Sequence, residues 1–223
     1  MAERFTEYLH RRAAPIWAAQ HEHPFVRGIA DGTLEVERFK HWVKQDYLYL
    51  IEYARLFALA VAKAPDLGTM TKFGQLVHAT LEVEMDLHRS YAREWGISSA
   101  ELEQTTKAPT CQAYTDFLLR CAALGSFAEL VAALLPCMWG FCEIGLTLAQ
   151  GAPPAEPRYA RWIRMYSAPE FVELTDWLRD LMDRLTAGLP QEALDRLEEV
   201  FLTSSRFEHA FWEMAYRQEQ WLV

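Results

Sequence analysis

The sequence predicts an all-α helical bundle in a single domain, residues 1–223. Three observations carry that reading. Long segments place apolar residues at helical spacing, prolines and glycines fall mainly between those segments, and no stretch shows convincing strand alternation. A chain of 223 residues, 51% hydrophobic and with eight Trp, is also long enough to bury a sizeable core as one domain.

The elements follow in order. A first helix is expected from about Glu3 to Ala19, and the turn at His23-Pro24 leads into a short helix ending at Asp31-Gly32. Thr33 can cap a third helix over Leu34 to Lys63, which stops before Pro65. A fourth runs from about Thr69 to Trp95 and ends at Gly96; Ser98 to Lys107 reads as a short connecting helix before Pro109. A fifth covers Thr110 to Ala123. After Gly125 comes the central helix around Ala128 to Gly145, apolar on every side and so expected in the core. The linker Gly151-Ala-Pro-Pro-Ala-Glu-Pro157 precedes a short helix to Tyr166, another from Pro169 to Ala187, and a last one from Pro190 to about Gln220.

Composition excludes some functions. A net charge of -9 gives no basic face for nucleic acid. The run Val131 to Leu148 is long enough to raise a membrane span, but Pro136, Glu143 and two internal glycines make it a core helix, and no membrane association is expected. Glu3-Arg4 and Arg11-Arg12 interrupt any apolar run that could serve as a signal peptide. Cys137 and Cys142 lie on different sides of one helix and cannot bridge, so reduced thiols in the cytoplasm are expected.

Several residues fit a plain bundle badly. Pro136 inside the central helix removes a backbone donor and obstructs the carbonyl of Ala132, which places Cys137 beside loosened backbone, with Gly140 leaving room one turn on. Asp46 falls within the apolar stripe of the third helix, Glu208 leans on the aromatic face of the last, and Glu143 sits on the central helix. Three carboxylates on three buried stripes exceed what a structural core usually carries, and several are expected to share one polar pocket. Tyr114 and Tyr166, read alone, are packing residues. Glu84 and His88 share a helix face, but no Glu-x-x-His pair occurs and no metal site is expected. The residues alone leave the roles of Glu84, His88 and Glu143 open.

Local strings then identify a family. His23-Pro-Phe-Val26, Asp31-Gly-Thr-Leu34, Gln45-Asp-Tyr-Leu-Tyr49, Leu134-Leu-Pro-Cys137, Ser204-Ser-Arg-Phe-Glu208 and Phe211-Trp-Glu-Met-Ala-Tyr216 occur in order. Together they resemble the TenA/thiaminase II family, in its cysteine-containing form, over nearly the whole chain. The resemblance implies a heme-oxygenase-like helical fold without heme, no cofactor, and a homotetramer. It also implies an aminopyrimidine aminohydrolase of thiamin salvage. That activity converts 4-amino-5-aminomethyl-2-methylpyrimidine to its hydroxymethyl counterpart with release of ammonia, and also hydrolyses thiamin.

The family's nucleophile falls on Cys137, its orienting aspartate on Asp46 and its catalytic glutamate on Glu208. Its pocket tyrosines fall on Tyr49, Tyr114 and Tyr166, which replaces the packing reading of the last two. Phe141 stands where members can have tyrosine; it can stack on a pyrimidine but cannot donate to it. Two alternatives belong to other classes: a di-iron or heme oxygenase on the same fold, and a regulatory protein that binds pyrimidine without turnover.

Overall fold

The computed structural model describes residues 3–223, so the first two residues of the expected domain lie outside it. The described residues form helices and no strands. In order they are α1 (Phe5–His21), α2 (Pro24–Asp31), α3 (Val36–Lys63), α4 (Leu67–Ala79), a π-helical segment (Thr80–Glu84), α5 (Met85–Glu94), α6 (Ser99–Glu103), α7 (Pro109–Leu124), α8 (Phe127–Ala149), α9 (Pro157–Tyr166), α10 (Pro169–Thr186) and α11 (Gln191–Arg217). Local chemistry sets these ends. Gly32 closes α2 at φ 73°, a left-handed conformation that glycine adopts at little cost. Asp66 accepts from the Thr69 amide to open α4, and Ser98 with Glu101 forms a capping box on α6. Proline begins α2, α7, α9 and α10, where its missing N–H costs nothing.

The described chain falls into two compact units. One comprises residues up to Glu35 with Val131–Glu213; the other comprises Val36–Leu130 with Met214–Val223. Two of the three boundaries lie inside α8 and α11, and the third falls at the start of α3.

In the first unit, α1 is fastened to α10 and α11 by side chains. The Thr6 amide donates to Asp183 at 2.8 Å, Tyr8 donates to Glu198 at 2.6 Å, and the Trp17 indole donates to Ser205 at 3.1 Å. Asp183 thus satisfies one of the orphan donors at the start of α1 and places negative charge at its positive end. His23 anchors the start of α2: its Nδ1 accepts from the Phe25 amide at 3.1 Å and its Nε2 lies 3.0 Å from Glu213. The buried stretch of α8 packs Trp139 against Trp17 and Phe201, and Phe141 against Trp162 and Trp212. Length and composition alone would let α8 cross a membrane, yet 78% of its most apolar window is buried inside the protein.

In the second unit, α3 is the spine. Phe39 and Trp42 pack with Tyr91 and His88, and Phe57 packs with Phe73, which in turn meets Phe127. Gln45 uses both ends of its buried amide, donating to the Thr106 carbonyl at 3.1 Å and accepting from the Ala108 amide at 2.8 Å. Glu219 accepts from Thr110 at the start of α7.

The expected fourth helix is one continuous run with a fault in it. Thr69, Phe73, Leu76 and Thr80 are buried at α-helical spacing; the next buried residues are Met85, His88, Tyr91 and Ala92. An unbroken α-helix would have buried position 83 instead, and Val83 is 58% exposed. The π turn inserts one residue into the helical phase.

Candidate active site

Of the four cysteines, all free thiols, Cys111, Cys121 and Cys142 are buried and Cys137 is partly exposed. From Leu130 to Cys142 along α8, Cys137 alone is not buried. Burial pushes the Cys111 thiol up to about 12 and raises Cys121 and Cys142 above the usual thiol range, which makes all three poor nucleophiles. A methyl group added at Gly140 would meet nothing within 4 Å, so the expected space one turn from Cys137 is present. α8 remains a single helix through Pro136.

Two contacts align α8 with α11. The Ser204 hydroxyl donates to the Ala133 carbonyl at 2.6 Å, and the Trp212 and Phe141 rings lie 5.0 Å apart. Both pairs have the same sequence offset, so the helices run in the same direction and in step here. Cys137 and Glu208 each lie one turn beyond the first contact and one turn before the second, and so occupy the same level of the helix pair. Glu208 is only 3% exposed. Ser204 thus bonds the carbonyl next to that of Ala132, the one Pro136 leaves without an amide donor.

Phe141 and Tyr166 come together, ring centroids 4.8 Å apart, and Trp162 lies 4.7 Å from Tyr166. The close approach of α9 depends on Gly145. A Cβ there would sit 2.6 Å from the Tyr166 carbonyl carbon and 2.8 Å from its oxygen, both backbone atoms that cannot swing aside. Gly145→Ala is expected to destabilise the protein by about 1–3 kcal/mol, the usual cost of overpacking a filled site. Urea unfolding of the variant beside the wild type measures this.

In the second unit, Asp46 is buried at 4% exposure on α3, and Tyr49 and Tyr114 are buried with ring centroids 5.2 Å apart. Asp46 is engaged by a residue that the sequence left without a role. His88, fully buried on α5, places Nε2 2.7 Å from Asp46 Oδ2 and Nδ1 2.9 Å from the Glu84 carbonyl oxygen. Burial alone would lower the His88 pKa; the hydrogen bond and charge of Asp46, helped by Glu84, outweigh it, and the net shift is upward. The one sequence signal for this partner was the carboxylate itself, since a buried aspartate needs a donor or a cation.

Glu143 corrects the expectation of a shared carboxylate pocket. It keeps about a third of its side chain exposed, lies 2.8 Å from His10 and 3.2 Å from His21, and is thereby tied to α1. Although burial opposes the shift, these two histidines hold its carboxyl down at about 2. Among the described residues, no group of three or more His, Cys, Asp or Glu is arranged to hold a metal ion.

Comparison with known proteins gives a consistent relationship. Residues 10–218 match the TENA/THI-4/PQQC family. The chain is 51% identical over 219 residues to an aminopyrimidine aminohydrolase of Halalkalibacterium halodurans, covering 97% of both chains. It is 38% identical to the Bacillus subtilis protein of the same name, covering 98% of this chain and 92% of that one. The TenA homologue of P. horikoshii OT3 superposes with a TM-score of 0.89 at 32% identity, covering 96% of this chain and 99% of that one. A domain with a heme oxygenase-like fold from Shewanella denitrificans shares the architecture, with a TM-score of 0.72 at 14% identity over 95% of this chain and 91% of that one. The fold is therefore the heme oxygenase-like helical one, and the chain belongs to the TENA/THI-4/PQQC family.

Proposed function

We propose that the protein is an aminopyrimidine aminohydrolase of thiamin salvage. It converts 4-amino-5-aminomethyl-2-methylpyrimidine to the 5-hydroxymethyl compound with release of ammonia, and it hydrolyses thiamin at the same methylene. The observation that carries this reading is the position of Cys137, the one accessible thiol of four, level with the buried carboxylate Glu208. The full-length identity to proteins named for this activity supports it.

The reaction must replace a poor leaving group on a methylene attached to an aromatic ring, which resists direct displacement. Addition of the Cys137 thiolate to the ring, with Glu208 delivering a proton to the ring nitrogen, lets the ring electrons expel the protonated amine. One hard step becomes two easier ones. Water then adds to the exposed methylene, the thiol departs and aromaticity returns. Asp46 accepts from the exocyclic 4-amine, with Tyr49, Tyr114 and Tyr166 assigned to the substrate, and Phe141 supplies a ring face without a hydroxyl. The side chains suffice for these steps with no metal or cofactor.

We further assign the protein to the cytoplasm, a placement supported by its four free thiols. We also assign it to a homotetramer. The exposed Leu67, Met70, Leu81 and Val83 on α4 and the π turn support self-association. The deciding experiment offers purified protein the aminomethyl pyrimidine and thiamin separately and compares kcat/KM, following ammonia or thiazole release. Turnover of either confirms the reading; binding of both without turnover leaves a pyrimidine-binding protein instead.

A further inference from the structure

We propose that His88 is a positioning residue for Asp46. It holds the carboxylate in its ionised, acceptor-only form by donating from Nε2 to Oδ2, and so leaves Oδ1 to receive an N–H of the bound aminopyrimidine. This rests on the reading of Asp46 as a substrate-binding group.

Hydrogen-bond inventory supplies the argument. The Glu84 carbonyl at 2.9 Å from Nδ1 can only accept, so Nδ1 carries a proton. Asp46 Oδ2 at 2.7 Å from Nε2 is an acceptor as well while the carboxylate is ionised, so the ring must carry a second proton. An imidazole between two acceptors is an imidazolium. His23 makes the contrast inside the same protein. Its Nδ1 accepts from a backbone amide, one nitrogen must stay bare, and burial lowers its pKa despite a carboxylate on the other nitrogen.

The surroundings leave His88 few other partners. The charged groups that act on it most strongly are Asp46 from α3 and Glu84 from the π turn, both negative, and the Trp42 and Tyr91 rings flank it at 5.3 Å and 6.4 Å. The ring is fixed at both nitrogens, which fixes the rotamer of Asp46 through the 2.7 Å bond. A carboxylate so held is a stronger acceptor than a neutral acid, because a charge-assisted hydrogen bond is about twice as strong. The same arrangement ties stability to pH. With its folded-state pKa raised above the usual 6.5, His88 stabilises the fold fully below 6.5, and that contribution is lost as pH rises through the folded value.

The test has two arms. Nitrogen NMR of the histidine rings in the wild-type protein reads the proton directly. Both nitrogens of His88 are expected protonated at neutral pH, with one bare nitrogen at His23. A bare Nε2 at His88 would overturn the proposal, whatever reaction the protein catalyses. The second arm is kinetic. His88→Phe is expected to raise KM for the aminomethyl pyrimidine roughly 10–100-fold, the span of a lost hydrogen bond to a charged group, with a smaller change in kcat. His88→Gln, whose amide can donate in place of Nε2, should recover most of that loss. If both folded variants keep the wild-type KM, or if His88→Gln loses as much as His88→Phe, His88 is a structural residue and the proposal fails. Should His88→Phe not fold, the glutamine variant and the NMR measurement still decide. A wild-type protein that turns over neither substrate, yet shows a doubly protonated His88, would refute the assigned function and leave the ion pair standing.

Discussion

Cys137→Ser is expected to lose hydrolysis of the aminomethyl pyrimidine by several orders of magnitude while the helical content and melting temperature stay near those of the wild type. A serine fits the space of a cysteine, so the fold has no reason to fail. An alcohol with an ordinary pKa is a far weaker nucleophile than a thiol that can ionise, so covalent addition to the ring is lost. Cys142→Ser is the matched control. Cys142 is buried five residues on, on another side of α8, and a hydroxyl there should change the rate little. Single-turnover kinetics on both variants, with mass spectrometry for a pyrimidine adduct on Cys137, tests this directly. A Cys137→Ser enzyme with wild-type turnover would remove covalent catalysis from the account.

Glu208→Gln is expected to lower kcat roughly 10²–10⁴-fold, the range for losing a general acid–base, with KM moving much less. The substitution keeps the shape and the buried position, and removes only the transferable proton. Glu208 lies between two turns of α11 that are pinned to α8, by Ser204 on one side and Trp212 on the other, so the amide should stay where the carboxyl was. Asp46→Asn should behave differently and raise KM, because its role is to orient the bound ring. The pH dependence of kcat distinguishes the two. If Glu208→Gln weakens binding and leaves kcat intact, Glu208 is a binding residue and the proton route through it is wrong.

The helices were legible because apolar periodicity and proline or glycine punctuation coincide in this chain. The expected starts and stops fall within a few residues of those found, from the left-handed Gly32 to the proline at the head of α10. The candidate site was suggested where one residue contradicts its own stripe: a proline beside a thiol in an apolar helix, or a carboxylate among aromatics. What stayed hidden depends on pairings between distant segments. Nothing near Asp46 in sequence points to a histidine 42 residues away. Glu143 looked like Asp46 and Glu208, but its partners, His10 and His21, come from the far end of the chain. The π turn was hidden for another reason. Val83 and Leu87 continue the spacing of Phe73, Leu76 and Thr80, so periodicity favoured the unbroken helix that the backbone does not form.

That turn lets one helix carry an extra residue without changing the face it buries. Successive residues of an α-helix are rotated by about 100°, as 3.6 residues per turn require. Removing a single residue between Thr80 and Glu84 would let the run close as ordinary α-helix, with Met85 four positions after Thr80 and His88 three further on, in phase with Phe73 and Leu76. Straightening the turn with every residue kept would instead swing His88 away from Asp46 by that angle. Related chains therefore present the same buried face here whether they hold the extra residue in a π turn or lack it in a plain helix.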